Sequence, residues 1–192
     1  MINKSALRKL YLAKRKTLSS EEITTKSQQI CKLFFQEIDL KKVEYLHIFL
    51  PLKKQNEIDT FLIIRRLQKE YPNINIVASR SNFDTFEMQH FILEEENLTE
   101  NKWGISEPSP VSGREVQPQE IDLVIIPLLV FDNQGNRVGY GKGFYDRFLQ
   151  KCDSKTLKVG LCLEEPIELI EGLNEFDVKM DVCITPNKIW EL

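Results

Sequence analysis

The sequence predicts an α/β protein built around a largely parallel β-sheet. Apolar runs of strand length alternate along the chain with segments of helical periodicity, and this alternation is typical of helices packed on such a sheet. Residues 122–131 (DLVIIPLLVF) are almost wholly apolar, as expected of a central strand covered on both faces. The length of 192 residues suits one domain over residues 1–192, folded as a three-layer α/β/α sandwich, with two small domains as the alternative.

Helices are predicted in four places. Residues 3–17 have apolar side chains at helical spacing, with Lys and Arg on the other positions. Ser19 and Glu22 form a capping box, in which a hydroxyl and a carboxylate satisfy free amides at a helix start. A second helix is therefore expected over residues 20–37. Residues 58–71 have helical periodicity, and a fourth helix is expected after a glycine-rich loop.

Strands are predicted where β-branched and aromatic residues cluster. The predicted strands are residues 43–52, 74–79, 85–93, 122–131, 157–163 and 182–185. Pro127 cannot donate a ladder hydrogen bond, so the central strand should bulge or leave the sheet near it. Residues 94–120 are polar and rich in proline, and a connection of this length is usually functional or mobile.

Composition excludes several classes of protein. The net charge of −3 offers no broad attraction to nucleic acid or to an anionic membrane. No run reaches the roughly 20 apolar residues of a membrane-spanning helix. The basic N-terminal segment lacks the apolar core of a secretory signal. The expected location is the cytoplasm, and the expected partners are small molecules.

The four cysteines are scattered along the chain, at Cys31, Cys152, Cys162 and Cys183. No C-x-x-C pair or Cys/His cluster is present, so a zinc site is not expected. Cys162 and Cys183 lie in apolar runs, which predicts buried thiols rather than a disulfide.

Residues 137–146 (RVGYGKGFYD) form the strongest local motif. Glycines at alternate positions allow the backbone to turn sharply and to approach a ligand closely. Lys142 lies among them, and a helix is predicted to start directly afterwards, which together predict an anion site. The spacing matches neither a P-loop nor a dinucleotide fingerprint. A flexible loop closed by glycine is the structural alternative.

This motif resembles the signature of the 5-formyltetrahydrofolate cyclo-ligase family, also called 5,10-methenyltetrahydrofolate synthetases. The matching run is PLLVFDNQGNRVGYGKGFYDRFL, residues 127–149. Four further segments resemble the family in type and order: residues 4–8 (KSALR), 49–60 (FLPLKKQNEIDT), 102–108 (KWGISEP), and 177–181 (DVKMD) with Thr185 and Pro186. Tyr140 stands where many members carry an arginine, and two extra polar residues lie in residues 53–56.

The resemblance implies an enzyme of one-carbon metabolism. It implies ATP as co-substrate, Mg²⁺ as metal, and conversion of 5-formyltetrahydrofolate to 5,10-methenyltetrahydrofolate. In that reaction ATP phosphorylates the formyl oxygen and a folate nitrogen then closes the ring. The resemblance also implies a monomer with a fold like that of the sugar-phosphate isomerase and CoA-transferase group.

Nucleotide-binding and catalytic roles follow from the resemblance residue by residue. Arg137 and Lys142 are the expected catalytic cations. The expected nucleotide-binding residues are Lys4, Arg8, Arg137, Gly139, Tyr140, Gly141, Lys142, Gly143, Phe144 and Tyr145. A solvated basic helix face is the alternative for Lys4 and Arg8, which lie four residues apart, and it is the expectation for Lys14, Arg15 and Lys16. Packing is the alternative for Phe144.

Folate and metal roles also follow from the resemblance. The expected folate-binding residues are Leu50, Glu57, Trp103 and Tyr145. The alternative is an exposed helix-start acid for Glu57 and a core position for Trp103. Asp146 and Asp181 are the expected Mg²⁺ ligands, since magnesium usually takes one or two carboxylates with phosphate oxygens and water.

Three other functions compete with this hypothesis. The first is a non-catalytic folate- or nucleotide-binding protein on the same fold, which would have no need of a metal pair. The second is a sugar-phosphate isomerase-like enzyme, which would need a carboxylate base and no ATP. The third is nucleic-acid binding by the basic N-terminal helix, which lacks the interleaved aromatic residues that such binding favours.

Overall fold

The computed structural model describes residues 3–101, 104–109 and 113–192. Its helices are α1 (Lys4–Lys16), α2 (Ser20–Glu37), α3 (Phe61–Glu70) and α4 (Phe144–Leu149). Its strands are β1 (Tyr45–His47), β2 (Asn75–Asn82), β3 (Glu87–Ile92), β4 (Leu98–Glu100), β5 (Ser106–Pro108), β6 (Leu123–Pro127), β7 (Val130–Phe131), β8 (Arg137–Val138), β9 (Leu157–Leu161), β10 (Val182–Ile184) and β11 (Ile189–Glu191).

Seven of these strands form the main sheet of the described residues, in the order β11-β10-β9-β6-β1-β2-β3. The five inner strands are parallel to one another. Both edge strands, β11 and β3, are antiparallel to their neighbours. The predicted α/β class with a mostly parallel sheet is therefore confirmed.

The central strand β6 is buried on both faces, as its apolar sequence predicts. Leu123 and Ile125 belong to a core cluster with side chains of α2 and α3. Val124 and Ile126 belong to a second cluster with side chains of α4. Successive side chains of a strand point to opposite faces, so the two clusters lie on opposite sides of the sheet.

The helices match the predictions at the start of the chain and differ later. Ser19 and Glu22 form the predicted capping box, with both reciprocal hydrogen bonds present. The helix after the glycine loop is only six residues long. The helix dipole is the sum of aligned peptide dipoles. A helix of six residues sums only a few of them, so it attracts an anion weakly. An anion bound here would therefore rely mainly on the loop amides and the nearby cations.

Two strand predictions are too long. The run over residues 43–52 contains only the three-residue strand β1, although Phe49 and Leu50 beyond it are buried. β-Branched and aromatic residues are favoured by burial as well as by strand pairing. The apolar sequence therefore continues beyond the last residue that pairs in the sheet. The run over residues 122–131 divides into β6 and β7, and β6 ends at Pro127, where the sequence predicts its exit.

The described parts of the polar connection over residues 94–120 contain regular secondary structure. Strands β4 and β5 pair antiparallel, from Leu98 opposite Pro108 to Glu100 opposite Ser106. One-turn 3-10 helices occupy residues 95–97 and 118–120.

The four cysteines are free, and Cys162 and Cys183 are buried as predicted. No helix in the described ranges is long and apolar enough to cross a membrane.

A buried aspartate holds the turn between β7 and β8. Asp132 is fully buried and accepts hydrogen bonds from the amides of Gln134 and Asn136 and from the Asn136 side chain. Its second carboxylate oxygen accepts from the amide of Ile170, 3.0 Å away. Because Arg137 directly follows this turn, Asp132 sets the direction in which the chain enters the glycine loop.

Replacing Asp132 with Ala should destabilise the protein by about 3 kcal/mol or more, because the buried amides of Asn136 and Ile170 and the buried Asn136 side chain lose their acceptor. Each unsatisfied group costs about 1–3 kcal/mol. The free energy of unfolding in urea measures this. Asp153→Ala is the matched control: the Asp153 side chain also accepts from a turn amide, that of Lys155, but Asp153 is exposed. Equal losses for both variants would contradict the assigned role of Asp132.

Candidate active site

A cavity of about 400 Å³ lies at the carboxyl edge of the parallel sheet, within the range of small-molecule sites. His47 at the end of β1, Ser79 and Ser81 of β2, and Pro127 at the end of β6 contribute to its lining. Ligands of α/β proteins generally bind outside the carboxyl ends of parallel strands. The structure also brings to this cavity nearly all of the residues predicted for the site.

The glycine loop forms one wall of the cavity. Gly141 and Gly143 have φ angles of +86° and +70°, a conformation that residues with a Cβ rarely adopt. A Cβ on Gly141 would lie 2.6 Å from Cζ of Arg8, and the Arg8 side chain donates to the Gly139 carbonyl at 2.9 Å. The missing side chain at Gly141 therefore gives room for a cation from α1.

Four cations line the same wall: Lys4, Arg8, Arg137 and Lys142. Arg137 forms an ion pair with Asp146 at 2.6 Å and donates to the Val178 carbonyl. Burial lowers the pKa of Arg137, and the charge and hydrogen bond of Asp146 oppose that effect. Arg137 is thus oriented before any ligand arrives.

The acidic residues are arranged differently from the prediction. Asp146 lines the cavity, and so does Asp177, which forms an ion pair with Lys4. Asp181 does not join them. It precedes β10, so it lies at the amino edge of the sheet, where it accepts from the Lys158 amide and pairs with the Lys158 ammonium. The structure therefore does not bring together the predicted pair of Asp146 and Asp181.

The described residues contain no group of three or more His, Cys, Asp or Glu side chains that could enclose a metal ion. A metal at the Asp146 side of the cavity would therefore need oxygen ligands from a bound molecule. Asp177 was within reach of sequence reasoning, because it opens the same DVKMD segment as Asp181. The sequence did not indicate which of the two acids faces the cavity.

Glu57 is a buried carboxylate at the other end of the cavity, 7% exposed. One oxygen accepts from the Leu52 amide at 2.7 Å and the other from the Tyr140 hydroxyl. Burial raises the pKa of Glu57, and the Leu52 amide, Tyr140 and Arg15 oppose the rise. Arg15 was expected to be solvated, but it is 6% exposed and lies 3.9 Å from Glu57.

Apolar and aromatic side chains line the space between Glu57 and the glycine loop. Leu50, Phe83, Phe144 and Tyr145 are among them. Phe144 also packs edge-on against Phe83, with ring centroids 5.3 Å apart. Burial raises the pKa of Tyr145, so its hydroxyl stays protonated. Trp103, predicted to bind folate, lies outside the described residues.

Sequence reasoning missed a buried pair of histidines, of which His47 lines the cavity and His90 lies behind Ser79. His47 and His90 both hydrogen-bond to Ser79, at 2.7 and 2.9 Å. Their rings pack against Phe148 at 4.9 and 4.0 Å. Burial lowers the pKa of both, that of His47 well below its usual value and that of His90 to about 4. Both rings are therefore neutral in the folded protein at neutral pH.

Together these features define an α/β protein with a polar and apolar cavity at the carboxyl edge of a mostly parallel sheet. The model described as the 5-formyltetrahydrofolate cyclo-ligase family matches residues 1–186. This chain therefore belongs to the 5-formyltetrahydrofolate cyclo-ligase family. The resemblance inferred from the glycine motif is confirmed.

Individual relatives agree with the family match. The probable 5-formyltetrahydrofolate cyclo-ligase of Schizosaccharomyces pombe is 31% identical over 203 residues, which cover 98% of this chain and 97% of the relative. The 5-formyltetrahydrofolate cyclo-ligase of Mycoplasma genitalium is 31% identical, with 96% and 98% covered. The solved 5,10-methenyltetrahydrofolate synthetase of Aquifex aeolicus has a TM-score of 0.76 at 28% identity. The match includes 98% of this chain and 92% of the solved chain.

The buried histidines predict a pH dependence of stability. Their stabilising effect is complete above the pKa of an unfolded histidine, about 6.5. It is lost as pH falls toward the folded-state pKa, about 4 for His90, because the unfolded chain then binds protons that the folded core excludes. The slope should approach about 1.4 kcal/mol per pH unit for each histidine. Urea unfolding between about pH 7 and pH 4.5 measures it.

The variant His90→Gln isolates this effect, since it removes one of the two titrating rings. Its slope of unfolding free energy against pH should be shallower than that of the parent in the same window. Carboxylates titrate near the lower end of the window in both proteins, so the difference between the two slopes reports the histidine. Identical slopes would show that His90 is not held neutral by the fold.

Proposed function

We infer that this protein converts 5-formyltetrahydrofolate into 5,10-methenyltetrahydrofolate at the expense of ATP, which yields ADP and phosphate. One observation carries this inference: a single cavity joins a cation-lined glycine loop to a buried carboxylate across an apolar wall. A triphosphate needs the first element, and a pterin with N–H donors and an aromatic face suits the other two. Membership of the cyclo-ligase family supports the same activity.

The triphosphate of ATP is proposed to lie along the glycine loop. Lys4, Arg8, Arg137 and Lys142 would face its oxygens, together with loop amides. Arginine contributes charge-assisted, fork-shaped hydrogen bonds, whereas lysine acts as a point charge. Lys142 forms no ion pair among the described residues, so its ammonium is available to a phosphate. We propose Arg137 and Lys142 as the catalytic cations.

The pterin of the folate is proposed to bind at Glu57. The amino and ring N–H groups of a pterin match a carboxylate that is already desolvated and hydrogen-bonded. Leu50 and Tyr145 line the adjacent wall and would contact the ring system. Bound in this way, the formyl group faces the phosphate end of the cavity.

The chemistry then requires two steps. The formyl oxygen attacks the γ-phosphorus of ATP, the bond from phosphorus to ADP breaks, and an iminium phosphate forms. The folate nitrogen N10 next attacks the formyl carbon and loses its proton, and phosphate leaves with the C–O bond electrons. Phosphorylation makes a poor leaving group into a good one, so the protein contributes mainly positioning and neutralisation of charge.

The residues at the phosphate end fit Mg²⁺. Asp146 uses one oxygen for both Arg137 and the Val178 amide, and Asp177 uses one oxygen for both Lys4 and the Asn174 amide. The second oxygen of each carboxylate has no hydrogen bond among the described residues. Two carboxylate oxygens together with phosphate oxygens form a set that magnesium accepts. The ion would neutralise charge on the phosphates when bound, and we propose Asp146 and Asp177 as its protein ligands.

We propose that residues 1–192 form one domain with the three-layer arrangement of the sugar-phosphate isomerase and CoA-transferase group. The core clusters on both faces of the sheet support this arrangement. We also propose a cytoplasmic monomer that acts on small molecules, without a nucleic-acid or membrane partner, for which the net charge of −3 is the support.

The decisive test is turnover. Purified protein with Mg²⁺, ATP and 5-formyltetrahydrofolate should produce the methenyl chromophore, followed by its absorbance, with one ADP formed per product. Lys142→Ala should lower kcat/KM by about 100-fold, the typical cost of removing one group that stabilises transition-state charge. Lys155→Ala, an exposed lysine remote from the cavity lining, is the matched control. Folate binding without product would instead support the non-catalytic alternative.

The close contact between Gly141 and Arg8 gives a second test. Gly141→Ala should raise the KM for ATP by about tenfold, because the new Cβ displaces the Arg8 guanidinium and a lost charge-assisted hydrogen bond costs about 1.5–3 kcal/mol. Gly172→Ala is matched in backbone strain, since Gly172 has a φ of +72° but no atom within 4 Å of an added Cβ. Gly172→Ala should lower stability and leave the KM for ATP unchanged. An equal KM shift in both variants would assign the effect to strain.

The revised metal assignment gives a third test. Asp146→Asn should raise the Mg²⁺ concentration for half-maximal activity by about tenfold or more, the usual scale for loss of a supporting group at a metal site. Asp181→Asn should leave that concentration unchanged, because Asp181 lies at the opposite edge of the sheet. A Mg²⁺ titration at saturating ATP compares the two. An equal shift in both variants would support the original pair of Asp146 and Asp181, and no shift in Asp146→Asn would contradict both pairs.

A further inference from the structure

Arg15, on the last turn of α1, is buried in contact with polar groups, although its neighbours in sequence are Lys14 and Lys16. Its side chain is 7% exposed, whereas the adjacent Lys16 is exposed. One nitrogen of the guanidinium donates to the Leu128 carbonyl. The other donates to the Tyr140 hydroxyl at 3.1 Å and lies 3.9 Å from Glu57. The buried guanidinium is thus fixed between backbone and the acidic end of the cavity.

Tyr140 completes a chain from this cation to the carboxylate. Its hydroxyl accepts from Arg15 and donates to Glu57. Burial raises the pKa of Tyr140, so the hydroxyl keeps the proton that it donates. The sequence resemblance assigned Tyr140 to the nucleotide, but its hydroxyl is engaged with the group proposed to bind the pterin.

The backbone near Glu57 is attached to the same helix end. Asn56 has a left-handed backbone, with a φ of +50°. Its side-chain amide donates to the carbonyl of Arg15 at 3.2 Å and to that of Leu18 at 3.1 Å. The Arg15 carbonyl therefore binds the residue before Glu57, and the Arg15 guanidinium lies beside Glu57 itself.

These contacts offset the cost of burying a carboxylate. An isolated buried charge is strongly unfavourable unless it is paired and hydrogen-bonded. Glu57 has the Leu52 amide on one oxygen and the Tyr140 hydroxyl on the other, with the Arg15 charge behind Tyr140. Both oxygens are thereby held in place, and the carboxylate can meet a planar ligand without reorganisation.

We propose that Arg15 and Tyr140 are positioning residues that hold Glu57 in the orientation required to bind the pterin of the substrate. This inference rests on the proposed function, because it takes Glu57 as the group that contacts the folate. It adds two residues that act through Glu57 and touch neither the phosphates nor the reacting atoms. It also distinguishes Arg15 from Lys4 and Arg8, the two cations of α1 that line the cavity.

Steady-state kinetics with both substrates test the proposal. Tyr140→Phe removes only the hydroxyl, and Arg15→Met removes the charge at similar length. Each should raise the KM for 5-formyltetrahydrofolate by about tenfold, the scale of one lost hydrogen bond to a charged group. The KM for ATP should change by less than about twofold. Arg15→Lys should recover part of the loss seen in Arg15→Met, because its ammonium restores a charge near Glu57.

Lys16→Met is the matched control on the same helix, and it should alter neither KM. A purely structural role for Arg15 and Tyr140 would lower the melting temperature and change both KM values together. That outcome, or an unchanged folate KM in Tyr140→Phe, would overturn the proposal. Tyr140→Phe keeps the test valid even if Arg15→Met does not fold.

Direct binding separates this inference from the proposed function. If the parent protein forms no methenyl product, the proposed activity fails. Equilibrium binding of 5-formyltetrahydrofolate to the parent, Tyr140→Phe and Lys16→Met proteins then tests the positioning role alone. Weaker binding by Tyr140→Phe only would support it. Equal binding by all three, or no binding by the parent, would overturn it.

Discussion

The packing of helix α1 against the glycine loop is the contact on which the rest of the site depends. Leu7 and Val138 belong to a small core cluster that attaches the helix to the β7–β8 hairpin. One residue further along α1, the Arg8 guanidinium occupies the space left by the missing side chain of Gly141 and binds the Gly139 carbonyl. If α1 did not pack against the loop, the cavity would lose one wall together with Lys4 and Arg8, the cations that α1 contributes.

Charge balance inside the cavity follows from the same geometry. Arg137 is paired with Asp146, Lys4 with Asp177, and Arg15 lies beside Glu57. Each charge is partly or wholly buried, and a buried charge is tolerated only with a partner. Lys142 differs from these cations, since it is exposed and its ammonium lies over the Phe86 ring. The cavity thus combines cations of fixed orientation with one that can follow its ligand.

Much of the fold could be predicted because its signals are local. The apolar run of β6, the capping box at Ser19 and the exit at Pro127 each report a physical requirement within a few residues. Strand β11 and the β4–β5 pair were missed because short strands depend on a partner that is distant in sequence. The predicted strand over residues 43–52 was too long because apolar residues continue to be buried beyond the last paired one.

The amino-acid sequence alone predicts the class of fold, the glycine loop with its lysine, and Glu57 as an acid in the segment that follows β1. Composition, periodicity and motif order carry that information, because they depend on the residues alone. The tertiary structure decided which charges meet. Arg15 was expected on a solvated helix face, but its side chain contacts Tyr140. Asp177, rather than Asp181, lines the cavity. The physical reason is that charge pairing depends on which edge of the sheet and which side of a helix a residue occupies, and helix packing sets both.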